Sequence, residues 1–427
     1  MDYSKLLQTI LDIAEEMLVA GAEVNRVENS IERMCSAYGC DETRVNVFII
    51  TSNIQVTLED PEGKIITQIR RVIRSDSNYE RLDRLNDLSR YICANRPGCE
   101  EIKRRYDEVM RKPKYPSWVK YLSAILVAGG FAVFFDGTLM DGLSSAIVGI
   151  IIMFFLIHLG KYGKNQMALI FTTSLMAGTV SILLSALGLG AVDKIAIGSI
   201  MLLIPGIALT NSIRDMLLGD VASGLLRLAN SVLIALFIAF GFAIPLAFIR
   251  QVSELLPIEL FPTVLSVSAR SGALRYAIQI FSAFVGCIGF SLFYNLKRSH
   301  VIYASIGGAA TWAIYLFFST VFTNDLFVPN FLASIFVGVF AETMAKVNKA
   351  PATVFLTSGA VPLVPGSALY STMRYVIEEQ EKYAAYYGRI ALEVAIAISL
   401  GFMVVAIANR YYSEYVRKHF YKDEAKK

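Results

Sequence analysis

Beyond Trp118 the chain is written almost entirely in long apolar runs, and no water-soluble fold can absorb all of them. Approximate bounds are 118–135, 142–159, 166–188, 194–213, 222–248, 273–295, 300–321, 327–346, 352–372 and 388–409, with short polar gaps between. Each run holds about 18 to 27 residues, enough as a helix to cross a hydrocarbon core roughly 30 Å thick. Across the 427 residues, 55% are hydrophobic and 18% charged, and the mean hydropathy is +0.51. A soluble protein this apolar would aggregate. These runs predict a polytopic all-α membrane protein of about ten transmembrane helices.

Residues 1–114 differ in kind and predict a small cytoplasmic α+β domain. Leu6, Leu7, Ile10, Ile13, Ala14, Met17 and Leu18 recur at helical spacing, so one amphipathic helix is expected from Ser4 to Tyr38. "RVNVFIITSNIQVTLED" is rich in Val, Ile and Thr and predicts a strand, "PEG" a turn, and "KIITQIRRV" the returning strand. "NYERLDRLNDLSRYICANR" predicts a second helix, followed by a shorter charged one and the linker "RKPKYPSW". No secretory leader is expected, because Asp12, Glu15 and Glu16 stand where its apolar core would be. The net charge of +4 and the lack of a basic patch interleaved with aromatics argue against nucleic acid as a partner. Cys35, Cys40, Cys93, Cys99 and Cys287 form no C-x-x-C pair; free thiols are expected, with a zinc site as the alternative.

Two apolar runs carry the same text. In "LLIPGIALTNSIRDM" and "PLVPGSALYSTMRYV", Leu203, Pro205, Gly206, Ala208, Leu209 and Arg214 recur as Leu363, Pro365, Gly366, Ala368, Leu369 and Arg374, all at one constant offset. The copies fall in the fourth and ninth runs, so the repeat unit is five spans. A second unit that follows an odd number of crossings starts from the opposite face, which predicts two inverted five-helix repeats. The expected division is 115–252 for the first repeat, 253–272 for a linker, 273–412 for the second repeat and 413–427 for a cytoplasmic tail. Lys and Arg set the orientation. Arg111, Lys112, Lys114 and Lys120 flank the first run, and Arg410, Arg417, Lys418, Lys422, Lys426 and Lys427 follow the last. Together with the loops on the same side they outnumber the cations of the opposite loops, so both termini are expected in the cytoplasm.

A Pro-Gly pair inside an oily span demands an explanation. Proline lacks an N–H and clashes with the carbonyl four residues back. In hydrocarbon a broken backbone survives only where protein or a watery cavity covers it. Pro205-Gly206 and Pro365-Gly366 therefore predict half-helices that start inside the membrane and turn partly positive amide ends toward a cavity fit for an anion such as a carboxylate. A simple proline kink is the alternative. Thr210, Asn211, Ser212 and Tyr370 lie beside the breaks, where they would hydrogen-bond a small polar ligand. Arg214 is expected to gate or to anchor its span by snorkelling; Arg374, its mate, is expected to gate or to form an ion pair. Glu342 is the lone acid of "ASIFVGVFAETMAKV": it carries protons or it pairs with Lys346. Asp136 and Asp141 bracket a short loop and are expected to be solvated.

These stretches resemble a known family. "PGIALTNSIRDMLLGDVASGLLR" (residues 205–227) and "MLVAGAEVNRVENSIER" (residues 17–33) are similar to the signature of the threonine/serine exporters. "KAPATVFLTSGAVPLVPGSALY" (residues 349–370) resembles the smaller partner protein of that family, so the chain looks like the fused form. The resemblance implies proton-driven export of threonine or serine across the inner membrane; the split pair implies succinate. It carries over onto Arg26, Glu28, Pro205, Gly206, Asn211, Arg214, Asp215, Asp220, Gly224, Arg227, Pro365, Gly366 and Tyr370. Arg26 and Glu28 are two apart and do not share a helix face. Asp215 and Asp220 are expected to pair with Arg214, Arg227 or the soluble domain as a cytoplasmic gate, or to couple protons.

The competing class is a membrane-anchored hydrolase. His158, His300 and His419 are the only histidines, and no G-x-S-x-G, H-E-x-x-H or G-x-x-x-x-G-K-[ST] occurs. Hence no enzyme activity, no cofactor, no metal and no direct ATP drive are expected. A passive channel is the third reading. The expected partners are the small-molecule substrate, protons and the lipid bilayer; whether a homo-oligomer forms stays open.

Overall fold

A computed structural model describes residues 2–50, 52–73, 76–161, 165–217, 219–255, 272–322 and 325–420. Most of the expected 253–272 linker, and the tail beyond residue 420, lie outside them. The described chain falls into two units. One comprises Met1–Pro116, Leu292–Val301 and Met344–Phe355; the other comprises Ser117–Ser291, Ile302–Thr343 and Leu356–Lys427.

In the first unit, the expected long helix is two: α1 (Tyr3–Val19) and α2 (Val24–Ala37). The break falls at Gly21, whose φ of +100° no L side chain adopts easily. The expected strand 44–60 is likewise a hairpin, β1 (Val45–Ile50) and β2 (Asn53–Glu59), with β3 (Ile65–Arg71) returning along β2. The sheet is antiparallel in the order β1-β2-β3, with Val47 opposite Val56 and Thr57 opposite Thr67. Along β2, Ile54, Val56 and Leu58 are buried and their neighbours half-buried, the period-2 alternation of a sheet with one covered face. Leu6, Leu7, Ile10, Met17, Val27, Ile31 and Met34 fill the core from α1 and α2. Two helices complete it, α3 (Tyr79–Asn95), capped by the Asn78 side chain, and α4 (Cys99–Met110).

The short segment 292–301 belongs to this unit for a definite reason. The first amides of a helix lack internal acceptors. Tyr79 and Glu80, at the start of α3, donate theirs to the carbonyls of Tyr294 (3.0 Å) and Asn295 (2.9 Å). Tyr115 Oη donates to the Leu296 carbonyl at 2.7 Å. His300, buried, has Nε2 3.9 Å from the buried Asp83 carboxylate.

In the second unit every regular element among the described residues is a helix. Its elements are α5 (Ser117–Phe134), α6 (Leu139–His158), α7 (Gln166–Ala186), α8 (Val192–Ile200), α9 (Gly206–Leu217), α10 (Val221–Leu255), α11 (Ala273–Phe293), α12 (Arg298–Val321), α13 (Phe327–Asn348), α14 (Ala352–Ala360), α15 (Gly366–Ile377) and α16 (Glu381–Phe420). The ends of α11 to α14 reach into the first unit. Among the described residues eight helices are long and apolar enough to cross a bilayer; α14 and α15, bent by 54° at their junction, make a ninth if taken as one broken span. The chain is thus a polytopic, mostly helical membrane protein. The fourth expected run is itself two short helices, α8 and α9, neither of which spans alone.

Packing in this unit is reciprocal. α9 lies against α10 and α16, while α15 lies against α16 and α10. Gly241 of α10 is hemmed by Phe171 and Ser174 of α7, and Gly401 of α16 by Phe331 and Ser334 of α13. A Cβ on Gly241 would sit 3.0 Å from the Phe171 carbonyl, and one on Gly401 2.9 Å from the Phe331 carbonyl. All three pairs of positions keep the offset that separates Pro205 from Pro365. Small residues let backbones approach this closely, which is how helices adhere where lipid is as apolar as the side chains.

Candidate functional site

Both Pro-Gly pairs break the helix, as the proline chemistry demands. Upstream of the first, the chain leaves α8 through a turn, with Ile204 N bonded to Ile200 O at 3.0 Å. Upstream of the second, α14 tightens into a 3-10 turn at Val361–Leu363, and Val364 is extended. Each proline then stands just ahead of a new helix. The carbonyls of Pro205 and Pro365 accept the first helical bonds, from Leu209 N (2.9 Å) and Leu369 N (3.0 Å). The next amides, of Ile207 and Ala208 in α9 and of Ser367 and Ala368 in α15, are first-turn donors without an acceptor one turn back.

The two breaks meet. A Cβ placed on Gly206 would overlap Val364 Cγ1 and lie 3.7 Å from the Gly366 Cα; one placed on Gly366 would lie 3.0 Å from Ile204 Cγ2. Ile204 and Val364 occupy equivalent positions, as do the two glycines, so the contact is reciprocal. Below it, Leu209 and Ile213 of α9 pack with Leu369 of α15, Ala235 of α10 and Ala395 of α16. Two helix amino ends, each carrying a partial positive charge, thus converge on one point screened by two half-buried aliphatic side chains.

Polar groups ring the contact. Thr210, buried, returns its hydroxyl to the Gly206 carbonyl at 3.2 Å, and its own carbonyl accepts from Ser399 Oγ of α16 at 2.9 Å. Ser212 bonds the Leu209 carbonyl at 2.6 Å. Tyr370, at the position equivalent to Thr210, is buried edge-on against Phe242 of α10 with ring centroids 6.1 Å apart. Tyr370 Oη and the half-buried Asn211 amide make no hydrogen bond among the described residues.

At the far end of α9 the charges assemble. Asp215, buried, sits 2.8 Å from Arg227 Nη1 of α10 and 3.7 Å from Arg214 Nη2. Arg214 is only 5% exposed, so the carboxylate joins two cations in a low-dielectric site rather than a surface pair. Asp220 does not join them: its carbonyl accepts Gly224 N at the start of α10, and it makes no ion pair among the described residues. Arg374 bonds Glu378, one turn on at the C-cap of α15, at 2.7 Å. Glu342 accepts from Asn409 of α16 at 2.9 Å. In the first unit, Arg26 reaches Asn86 at 3.4 Å and lines a groove that Glu28 does not line.

Asp136 and Asp141 correct the expectation of solvated loop acids. Asp141 is 1% exposed. It closes a capping box with Thr138 and accepts the Ala191 amide at 2.7 Å, ahead of α8. Asp136 holds Arg275 of α11 at 2.5 Å. The signal for Asp141 was present in the sequence, as a Thr three residues before an Asp at the head of an apolar run. Ile204 and Val364 were also missed, although both lie inside the repeated text; their importance comes only from the contact across the repeat. The five cysteines are free, and no group of His, Cys, Asp and Glu among the described residues is arranged to hold a metal ion.

Two family models match in succession: "Putative threonine/serine exporter" over residues 8–249 and "Threonine/Serine exporter, ThrE" over residues 279–408. The "Threonine/serine exporter" of Corynebacterium glutamicum is 25% identical over 92% of this chain and 80% of its own length. The "Probable threonine/serine exporter" of Mycobacterium tuberculosis is 23% identical over 86% of this chain and 69% of its own. The "Probable succinate transporter subunit YjjP" of Klebsiella aerogenes is 25% identical over 53% of this chain and 86% of its own. No solved structure matches the chain. The family and these relatives are transporters, not enzymes. With both models laid end to end on one polypeptide, the chain belongs to the threonine/serine exporter family, in the form that joins its two components.

Proposed function

We propose that the chain is a secondary transporter that exports small carboxylate-bearing metabolites, threonine and serine first, and that the meeting of its two Pro-Gly breaks is the substrate site. One observation carries the reading: Gly206 and Gly366 face each other, each at the head of a short helix. Two positive helix ends brought together in a medium of low dielectric repel unless an anion lies between them, and a substrate carboxylate is that anion. Asn211 and Tyr370 supply hydrogen-bonding groups for the rest of a small polar molecule. Ile204 and Val364 close the gap in the conformation described.

The reciprocal packing supports two inverted repeats of five spans, counting α8 with α9 and α14 with α15 as broken crossings, ten in all. Alternating access is then a rocking of one half against the other about the Gly206–Gly366 contact. The Arg214–Asp215–Arg227 cluster ties α9 to α10 at one end and acts as a gate there, while Arg374–Glu378 joins α15 only to its own C-cap and leaves that end free to move. Asp215 is committed to two guanidiniums, so Asp220 carries the proton-coupling role, with Glu342 as the second candidate. The Lys and Arg distribution supports an inner-membrane protein with both termini in the cytoplasm.

Counterflow in proteoliposomes tests this, with serine, threonine and succinate offered separately under an imposed pH gradient. Exchange of serine or threonine that follows the gradient is expected. Exchange of succinate alone moves the substrate to the dicarboxylates. Flux indifferent to the gradient removes the coupling, and failure of all three substrates to exchange sinks the reading.

A further inference from the structure

Between α2 and α3 of the first unit runs a groove of about 600 Å³ that the transport reading does not use. Its walls are two helix faces. Arg26, Asn29 and Arg33 recur at three- and four-residue steps on α2, and on α3 Ser89 and Arg90 follow Asn86 by three and four positions. Ordinarily facing stripes at this spacing are apolar and close upon each other. Here three guanidiniums line the groove and no carboxylate does. Arg33 makes no hydrogen bond or ion pair among the described residues, and Arg26 has only the 3.4 Å contact to Asn86. Arg90 is shared between the exposed Asp87 and the carbonyl of Lys349, at 2.5 Å each. Lys349 stands in the left-handed region, with φ 52°, three residues before α14 begins.

Arg90 is compensated by Asp87, but Arg26 and Arg33 bring like charge to one cleft without a carboxylate, and that cost falls when a multiply charged anion enters. Guanidinium forks match the paired oxygens of phosphate and carboxylate, and amide and hydroxyl donors complete such a cradle. We propose that this groove binds a small metabolite carrying clustered oxyanions, phosphates or several carboxylates, and that Arg90 links its occupancy to the Lys349 turn. An anion that draws Arg90 inward takes the guanidinium from the Lys349 carbonyl and loosens the segment leading into α14. The proposal goes beyond the export reading and does not depend on it.

The test is calorimetric titration of the full-length protein in detergent micelles, at fixed ionic strength, with pyrophosphate, citrate and threonine as probes. Saturable binding of pyrophosphate or citrate is expected, and which of the two binds tighter identifies the oxyanion. Arg33→Gln, on an exposed side chain without partners, should weaken it about tenfold or more, the effect of one lost charge-assisted hydrogen bond. Lys103→Gln, an equal charge change on an exposed position of α4, should leave it intact. No saturable binding, equal loss in both variants, or threonine binding as well as the polyanions would each overturn the site. Hydrogen exchange of the amides around Lys349 should quicken when the probe is bound; unchanged exchange with the groove occupied would overturn the link through Arg90.

Discussion

The contact between the two breaks makes an asymmetric prediction. A Cβ on Gly206 overlaps Val364 Cγ1, whereas a Cβ on Gly366 meets Ile204 Cγ2 at 3.0 Å, close enough to need only a small yield from a side-chain methyl. Forcing a methyl into packed surroundings costs about 1–3 kcal/mol. Neither glycine has positive φ, so replacing it with alanine in a helix returns about 0.5–1 kcal/mol. Gly206→Ala should therefore destabilise by roughly 1–2 kcal/mol, while Gly366→Ala comes out near zero. Val364→Ala removes the obstructing methyl, so in the Gly206→Ala background it should cost less than it does alone. The coupling energy should exceed the roughly 0.5 kcal/mol within which independent sites add. Unfolding by SDS titration in mixed micelles, on the three single variants and the Gly206→Ala/Val364→Ala double, measures the two glycine costs and the coupling energy. Strict additivity, or a Gly366→Ala as damaging as Gly206→Ala, would mean that the two breaks do not touch as described.

Asp215→Asn leaves Arg214 and Arg227 facing a neutral amide, and removing one member of a buried charge cluster costs on the order of 3 kcal/mol, less here because Arg227 is partly exposed; the same titration reads it. Asp220→Asn should shift stability by no more than about 0.5 kcal/mol, yet flatten the pH dependence of export; an unaltered pH profile excludes Asp220 from proton coupling. Gly401→Ala drives a methyl into Ser334 and the Phe331 carbonyl, and Gly241→Ala meets Ser174 and the Phe171 carbonyl, so the two variants should lower the SDS midpoint by similar amounts. In the first unit, burial pushes the Cys35 thiol from 9.0 up to about 12. The folded state then holds that proton more tightly than the unfolded chain. The contribution is fully present below about pH 9 and is lost as pH rises toward 12. Cys35→Ala should flatten this alkaline loss, seen by circular dichroism.

What the sequence settled by itself was everything that local chemistry enforces. Apolar runs of bilayer length have to be helices in lipid, because only a helix satisfies its own backbone there; the long helices α5, α6, α7, α10 and α11 follow from that alone. A Pro-Gly pair inside a span removes an amide and frees the backbone to turn, and α9 and α15 begin where Pro205 and Pro365 foretold, whereas α10 runs on through Pro245, which no glycine follows. Asp215 had several partners open to it in the sequence, and the packing of α9 against α10 brings it to Arg227, twelve positions on, as well as to Arg214. Other features waited for the tertiary structure. Gly21 looked like one more residue of an amphipathic helix until its backbone turned left-handed, and 44–60 looked like one strand because Val, Ile and Thr favour extension on both sides of a tight turn. Asp141 seemed solvated because burial is a property of its surroundings, and those include Ala191, fifty positions on. The meeting of Gly206 with Val364 joins residues far apart in the chain. A repeat in the text announces two equal parts, but only packing in three dimensions decides that their broken ends share one place.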